Sequence, residues 1–178
     1  MESCKIVFLT QTEDETRRIG AALGGWLRPG DLVALAGDLG SGKTCLTQGI
    51  AQGLGVPDAA YVRSPSFVLM HTYPGRFPVY HLDLYRIRDA SELEDLGVRE
   101  IFGAEGVCVI EWADKISEWL PEAYVRVSLA HESESRRRIE IEAVGESYAS
   151  RWESLEKKLT GATHRQAAGE RHRRQEKE

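Results

Sequence analysis

A glycine-rich segment between an apolar run and a helical pattern constrains this chain more than any other feature. Residues 37–44 match G-x-x-x-x-G-K-S/T at every position. The run before it, Leu32–Ala36, is typical of a strand buried on both faces of a parallel sheet, and the helical pattern continues from Lys43 to about Leu54. This order predicts an α/β domain with a phosphate-binding loop, rather than a glycine turn that carries a surface lysine.

Each residue type in the loop has a chemical reason to be there. Glycines let the backbone turn tightly, so that successive N–H groups point into one concavity that holds phosphate oxygens. The helix that follows presents its positive N-terminal end to the same anion. Lys43 is expected to neutralise the β- and γ-phosphates, and the Thr44 hydroxyl to ligate Mg²⁺. The predicted nucleotide-binding residues of the loop are Gly37, Gly40, Ser41, Gly42, Lys43 and Thr44.

A carboxylate at the end of a second apolar run is the next candidate. Gly106 introduces the run Val107–Ile110, and Glu111 follows it directly. P-loop proteins need an acidic group opposite the loop to hold Mg²⁺ or its waters and to polarise the attacking water. A glutamate that merely ends a strand is the alternative. We favour the functional interpretation, because ligands of open α/β sheets bind at the carboxyl edge, where Glu111 is expected to lie.

Two polar segments leave more than one interpretation open. Polar and apolar residues alternate over 81–86, so His81, Asp83 and Tyr85 are expected to share one strand face. That face could be the solvated side of an edge hairpin, or it could line the nucleotide site with Asp83 as a second Mg²⁺-directed carboxylate. The hydroxyl groups of Ser64–Phe67 could contact the γ-phosphate and the metal as a switch, or could belong to an ordinary turn.

Composition excludes several classes of protein. The 178 residues, 42% hydrophobic and 29% charged, fit one folded domain, and the formal charge of −5 gives no general attraction to nucleic acid. Three cysteines without a C-x-x-C pair exclude a disulfide framework and a zinc ribbon. The absence of asparagine removes a metal ligand of protein kinases and a guanine-binding residue of small GTPases. Without a membrane-length apolar run or a secretory signal, a cytoplasmic protein is expected.

The rest of the chain is predicted to complete one mixed sheet. The predicted strands are Ile6–Leu9, a hairpin of Phe67–Tyr73 with Pro78–Leu84, and an antiparallel pair of Tyr124–Leu129 with Arg138–Val144. The predicted helices run from Thr12 to about Leu27, over a short segment marked by Ser91 and Glu94, and over Tyr148–Leu159. The fold class is therefore α/β: a single P-loop NTPase domain with a mainly parallel central sheet, antiparallel hairpin and edge strands, and flanking helices.

The composition changes near the C-terminus. Residues 160–178 are mostly charged or polar and include no Leu, Ile, Val or aromatic residue. Such a segment cannot bury enough apolar surface to offset its ordering entropy, so we expect an ATPase domain over 1–159 and a disordered tail over 160–178. A weak RNA-directed tether is the alternative interpretation, since flexible basic segments gain energy from counterion release.

Taken together, the motifs resemble one family, the bacterial tRNA threonylcarbamoyladenosine biosynthesis ATPases known as TsaE. The resemblance is carried by G-D-L-G-S-G-K-T at 37–44, S-P-S-F at 64–67, H-L-D-L-Y-R at 81–86, E-L-E-D-L-G at 92–97 and V-I-E-W at 109–112. It implies a small P-loop ATPase that binds ATP with Mg²⁺ and hydrolyses it weakly. The ATPase would serve the complex that makes threonylcarbamoyladenosine in tRNA, with TsaD and TsaB as partners, without transferring the threonylcarbamoyl group itself.

The resemblance also implies roles for particular residues. The implied catalytic residues are Lys43, Asp83 and Glu111, and the implied metal ligands are Thr44, Asp83 and Glu111. Trp112 would lie beside the nucleotide, and Glu13 near its adenine side. Two positions depart from the family pattern. Ser66 replaces a threonine and keeps its hydroxyl, whereas Cys45 replaces a second threonine and puts a hydroxyl contact with the α-phosphate in doubt.

Two other classes of function remain as alternatives. A small-molecule kinase could use the same loop, but kinases of that kind usually carry an arginine-rich lid. The arginines here cluster at 136–138 and in the tail, with no arginine-rich insertion between the core strands. A nucleotide-dependent binding module that hydrolyses nothing is the other alternative, and the presence of both Asp83 and Glu111 weighs against it.

Overall fold

One mixed sheet organises the chain in its computed structural model, which describes residues 4–88, 90–94, 97–103 and 105–162. The strands are β1 (Lys5–Thr10), β2 (Leu32–Ala36), β3 (Met70–Tyr73), β4 (Val79–Asp83), β5 (Val107–Glu111), β6 (Tyr124–His131) and β7 (Arg137–Val144). The helices are α1 (Glu13–Gly24), α2 (Lys43–Gly53), α3 (Val98–Ile101), α4 (Glu146–Ala149) and α5, described over 152–162. Short 3-10 helices lie at Ala59–Tyr61, Ala90–Leu93 and Ala113–Trp119.

The topology confirms the predicted fold class. The strand order is β1-β7-β6-β2-β5-β4-β3. The central strands β6, β2, β5 and β4 are parallel, whereas β1, β7 and β3 join the sheet antiparallel to their neighbours. All of β5 and nearly all of β2 is buried, which explains their unbroken apolar sequences. The carboxyl ends of β2, β4 and β5 meet at one edge of the sheet, and that edge carries the candidate site.

Apolar side chains cover both faces of the sheet. One buried cluster packs α1, α2 and α5 against it and includes Leu23, Leu46 and Leu155. The other covers the opposite face and includes Ile110 and Ile116. Each such side chain stabilises the fold by about 1.5–3 kcal/mol through its burial. Because α2 follows the phosphate loop directly, its packing holds the loop at the edge of the sheet.

Glycines allow α1 and α2 to touch backbone to backbone. A Cβ added to Gly20 or Gly24 would lie 2.4 or 2.1 Å from a carbonyl oxygen of α2, closer than any side chain permits. Gly49 and Gly53 make the reciprocal approach to α1, with distances of 2.2 Å each. The contact brings the first residues of the two helices together, and the Cys45 thiol donates to the Glu13 carbonyl at 3.4 Å.

A polar cluster attaches the C-terminal helices to the start of β2. The Arg151 guanidinium binds both carboxylate oxygens of Asp31, at 2.8 and 3.0 Å, and lies over the Trp26 ring at 4.0 Å. The Tyr148 hydroxyl accepts a hydrogen bond from the Leu32 N–H at 3.0 Å. These contacts lie at the opposite end of β2 from the phosphate loop, so they support the fold without entering the site.

The first strand of the hairpin starts later than predicted. β3 begins at Met70 rather than at Phe67. The N–H groups of Val68 and Leu69 both donate to the Pro65 carbonyl, at 3.0 and 2.7 Å, and Leu69 has a φ of 64°. This turn ends the S-P-S-F segment and keeps Phe67 out of the sheet.

Two helices differ in extent from the prediction. α1 ends at Gly24 rather than near Leu27, because the N–H groups of Trp26 and Leu27 both donate to the Leu23 carbonyl and close the last turn. The predicted helix over 148–159 is two helices, α4 and α5, with a turn at residues 150–151. The spacing of Trp152, Leu155 and Leu159 predicts one apolar face for this segment, and that face packs against the sheet.

Some predictions fall on residues outside the described ranges. The Ser91 side chain, residues 95–96 and tail residues 163–178 are among them. A 3-10 helix at Ala90–Leu93 stands where the short capped helix was predicted. The boundary between domain and tail stays a prediction, with α5 described to residue 162. None of the helices in the described ranges is long and apolar enough to cross a membrane.

Gly24→Ala is expected to lower the free energy of unfolding by about 1–3 kcal/mol, because the methyl group would force two helix backbones apart. Urea unfolding followed by circular dichroism measures the change. Gly161→Ala is the matched control, since a Cβ there meets nothing within 4 Å. It should shift stability by no more than about 1 kcal/mol, in the stabilising direction. Equal destabilisation by both substitutions would contradict the close contact of α1 with α2.

Candidate functional site

A cleft of about 420 Å³ opens at the carboxyl edge of the sheet. The residues that line it are Leu39, Gly40, Gly42, Lys43, Thr44, Cys45, Ser64, Ser66, Asp83, Tyr85, Arg86, Glu111 and Trp112. The fold therefore brings most of the predicted site residues to one place. Gly37, Ser41 and Glu13 are not among the lining residues.

The loop conformation explains its glycines. Gly37 and Gly42 have φ angles of 146° and 105°, which residues with a side chain rarely adopt. A Cβ on Gly37 would also lie 2.2 Å from the Leu129 carbonyl oxygen. α2 begins at Lys43 with neither a side-chain cap nor an acidic residue in its first turn. Its first N–H groups therefore remain available to an anion.

Ser41 supports the loop from beneath. Its side chain is fully buried, and its hydroxyl has no hydrogen-bond partner among the described residues. Its N–H donates to the Asp38 carbonyl at 3.1 Å. The predicted nucleotide contacts of Ser41 and Gly37 stay predictions, because neither residue lines the cleft.

Lys43 binds the loop itself. Its ammonium donates to the carbonyls of Gly37 and Asp38, at 2.6 and 2.8 Å, and lies 3.8 Å from the centre of the Trp112 ring. Only 5% of the residue is exposed. Burial lowers the pKa of this ammonium, and the facing carboxylates of Glu111 and Asp83 oppose that shift. The charge of Lys43 thus lies at the base of the cleft, between the loop and the acidic side chains.

Glu111 connects the loop helix to the centre of the sheet. Its Oε2 accepts from the Thr44 hydroxyl at 3.0 Å, and its Oε1 bonds to Nε2 of His81 at 2.9 Å. Glu111 and His81 are both buried, with 2% and 0% of their surfaces exposed. This confirms that Glu111 ends β5 at the carboxyl edge of the sheet, opposite the phosphate loop.

Asp83 is the second carboxylate of the cleft. It pairs directly with Glu111 in the register of β4 and β5, so both side chains leave the same face of the sheet. Its Oδ2 accepts from the hydroxyls of Ser64 and Ser66, the latter at 2.7 Å, and its Oδ1 accepts from the Tyr85 N–H at 2.8 Å. The S-P-S-F segment therefore contacts the acidic side of the site through both of its hydroxyls.

The structure excludes one of the two interpretations of residues 81–86. β4 is flanked by β3 and β5, and His81 and Asp83 are buried, so this face is not the solvated side of an edge hairpin, and Asp83 lines the cleft. The role of Asp83 toward Mg²⁺ stays a prediction. The expected place of Tyr85 on the strand is wrong, because β4 ends at Asp83. Tyr85 lies in the following turn, where its ring contacts Trp112 with centroids 5.2 Å apart.

Trp112 adopts a left-handed conformation, with φ 62° and ψ 36°. Only a few per cent of residues other than glycine do so, at a cost of about 1–2 kcal/mol. The turn lets the ring leave β5 directly after Glu111 and cover Lys43. Lys115 connects this turn to the segment after β4 by donating to the carbonyls of Tyr85 and Ile87, the latter at 3.1 Å. The sequence pattern did not reveal this connection.

Cys45 lies where α1 meets the cleft. Its thiol is half-buried and lies 3.8 Å from an Arg17 guanidinium nitrogen. Burial raises the pKa of the Cys45 thiol to about 11, although Arg17 opposes the shift. The Glu13 carbonyl accepts from the Cys45 thiol, so the backbone of Glu13 lies beside the cleft. The exposed Glu13 carboxylate pairs with Arg17 at 3.0 Å. The adenine-side role of Glu13 stays a prediction.

Comparison with known proteins gives one consistent result. The family model described as "Threonylcarbamoyl adenosine biosynthesis protein TsaE" matches residues 10–139. A Bacillus subtilis protein named "tRNA threonylcarbamoyladenosine biosynthesis protein TsaE" is 40% identical over 147 residues, 82% of this chain and 90% of its own length. A Treponema pallidum protein of the same name is 37% identical over 133 residues, 75% of this chain and 97% of its own.

A solved structure matches over nearly the whole chain. It is the crystal structure of Bacillus subtilis YdiB, which is 33% identical and superimposes with a TM-score of 0.70. The match covers 88% of this chain and 94% of the YdiB chain. The similarity therefore extends through the sheet and the site together.

The pKa of Cys45 predicts an unusual alkylation profile. At pH 8 only about 0.1% of a thiol with a pKa of about 11 is ionised, and the thiolate is the reacting form. Alkylation of Cys45 by iodoacetamide, followed by peptide mass spectrometry, should rise about tenfold per pH unit from pH 7.5 to 9.5. A cysteine in an unstructured peptide is the control, and its rate should level off above about pH 9. A Cys45 rate that levels off at the same pH would contradict the burial of this thiol.

Proposed function

The chain belongs to the TsaE family of threonylcarbamoyl adenosine biosynthesis proteins, and from that premise we propose that its cleft binds ATP with Mg²⁺ and hydrolyses ATP slowly. Family membership gives the nucleotide-binding, P-loop ATPase type of role. The proposal adds Mg²⁺, slow turnover and regulation of a partner complex. The observation that carries it is the 3.0 Å hydrogen bond between Thr44 and Glu111, which joins the phosphate loop to a carboxylate at the end of the neighbouring strand.

The donor set of the cleft fits Mg²⁺. Thr44 offers a hydroxyl, while Glu111 and Asp83 offer carboxylates from adjacent positions of one sheet face. Mg²⁺ prefers oxygen ligands and is usually held by one or two carboxylates together with substrate phosphates and water. Within the described ranges, no group of three or more His, Cys, Asp and Glu side chains could hold a metal ion. Phosphate oxygens and water would therefore complete the coordination.

Each side chain of the cleft has its own role in hydrolysis, which follows from its position. Lys43 exchanges its bonds to the carbonyls of Gly37 and Asp38 for bonds to the β- and γ-phosphates. Bound Mg²⁺ supplies positive charge that neutralises the phosphates. Glu111, held by Thr44 and His81, orients and polarises the attacking water. Trp112 covers one side of Lys43 and limits the access of bulk water to it.

We assign the partners from the family resemblance: TsaD and TsaB, with tRNA met only through their complex, in the cytoplasm. ATP binding would govern docking, and hydrolysis would reset the complex for another round. The surroundings of the cleft suit such a contact. Leu39 lines the cleft and is 73% exposed, and Phe67, which lies against the lining residue Arg86, is 83% exposed. A protein docked over these side chains would sense the state of the nucleotide directly.

Phosphate release from ATP with Mg²⁺ tests the proposal, first with this protein alone and then with TsaD and TsaB from the same organism. We expect slow release alone and faster release with the partners. Lys43→Ala should abolish both, because a charge-assisted phosphate contact and its steering field are lost. Lys157→Ala, which changes an exposed lysine of α5, is the matched control.

Each outcome of that assay has a distinct meaning. A rate of phosphate release that does not change when TsaD and TsaB are added would contradict the proposed partners, but the protein would still be a P-loop ATPase. Release only when a small-molecule acceptor is added would favour the kinase alternative. Unchanged ATP affinity of Lys43→Ala, measured by calorimetry, would contradict the phosphate site itself.

Glu111→Ala is expected to keep ATP binding within a few-fold of wild type and to lower turnover by about 10²-fold or more, because the water loses its polarising group. Calorimetry gives the affinity, and phosphate release gives the rate. Glu132→Ala, in the exposed turn between β6 and β7, is the control and should turn over normally. Wild-type turnover by Glu111→Ala would move the catalytic role to Asp83.

A further inference from the structure

We propose that His81 is a positioning residue for Glu111, and that ATP turnover depends on the hydrogen bond between them while nucleotide affinity does not. The inference rests on the hydrolysis proposed above. His81 belongs to the alternating segment 81–86 and bonds to Glu111, yet its side chain is not among those that line the cleft. It lies beneath the site, with none of its side-chain surface exposed.

The strand register places His81 two residues before Asp83 on the same face of the sheet, farther from its carboxyl edge. His81 pairs with Val109, and Asp83 pairs with Glu111 in the same parallel ladder of β4 and β5. His81 and Glu111 are therefore diagonal neighbours on one sheet face, which brings Nε2 and Oε1 to 2.9 Å. Rigid strands in the middle of the sheet hold both residues, so the contact does not depend on a loop.

The hydrogen-bond pattern fixes which nitrogen carries the proton. An ionised carboxylate can only accept, so Nε2 of His81 donates to Oε1 of Glu111. Nδ1 of His81 is buried and has no partner within the described ranges. A buried N–H without an acceptor is rarer in proteins than an acceptor without a donor. The pattern therefore favours a proton on Nε2.

This bond leaves the second carboxylate oxygen of Glu111 for the chemistry. Oε1 is occupied by His81, so Oε2 is the oxygen that faces Thr44. Without His81 the carboxylate would lose its buried donor and could turn away from the loop. Hydrogen-bond partners behind the direct ligands of a metal site typically change activity by about 10- to 100-fold when they are removed. The hydrogen bond from His81 thus determines that Oε2 of Glu111 is the oxygen that contacts Thr44 and the attacking water.

Three substitutions of His81 separate the hydrogen bond from the packing of the ring. The amide nitrogen of Gln lies as many bonds from Cβ as Nε2 does, whereas that of Asn corresponds to Nδ1. Leu fills similar space without a donor. We expect H81L and H81N to lower turnover by about 10- to 100-fold with ATP affinity within about threefold of wild type. H81Q should recover turnover to within about fivefold of wild type.

Thermal unfolding and a matched histidine control accompany the kinetics. His71, which pairs with His81 across β3 and β4, is exposed, and H71L should leave turnover unchanged. Wild-type turnover by H81L would overturn the proposal. Two other outcomes would also overturn it: H81N could recover turnover as completely as H81Q, or all three His81 variants could lose turnover equally. In either case the packing of the ring, and not the hydrogen bond, would account for the effect.

Measurements on the wild-type protein keep the proposal testable even if the His81 variants unfold. ¹⁵N NMR of the imidazole should show the proton on Nε2, with a shift of that signal in Glu111→Ala. A proton on Nδ1 alone would overturn the proposal. Failure of the proposed function looks different: wild-type protein would then release no phosphate in the presence or absence of partners, whereas failure of this inference leaves wild-type turnover intact.

Discussion

The parallel pairing of β2 with β5 is the constraint on which the site depends. It sets Leu35 opposite Glu111, one residue before β2 ends and the phosphate loop begins. The loop and the carboxylate therefore reach the edge of the sheet at the same level along the strands, and the Thr44 hydroxyl can donate a 3.0 Å hydrogen bond to Glu111. A slip of one residue in this pairing would turn the Glu111 side chain to the other face and separate the two halves of the cleft.

The local features of the fold could be predicted because they depend on short stretches of sequence. The bounds of β2 follow from an apolar run between turn residues, and the loop follows from the side chains that phosphate binding requires. The position of Glu111 follows from the rule that ligands bind at the carboxyl edge of an open sheet. These predictions needed no knowledge of which strand lies beside which.

The features that could not be predicted are contacts between distant residues. Alternation over 81–86 gave the shared face of His81 and Asp83, but only the neighbouring strands show that this face is buried, with Asp83 at the cleft. The approach of α1 to α2 depends on glycines on both helices, each of which is unremarkable in its own segment. The left-handed turn at Trp112 has no signal in the residues around it, since tryptophan rarely adopts that conformation.

The bonds of Lys43 to its own loop have a consequence for the kinetics of ligand capture. By holding the carbonyls of Gly37 and Asp38, the ammonium keeps the cradle in a defined shape before any anion arrives. The conformational entropy of that shape is lost when the chain folds and not again when the ligand enters. Association then requires the exchange of two hydrogen bonds rather than the ordering of a flexible segment, so an incoming nucleotide meets a receptor that is already assembled.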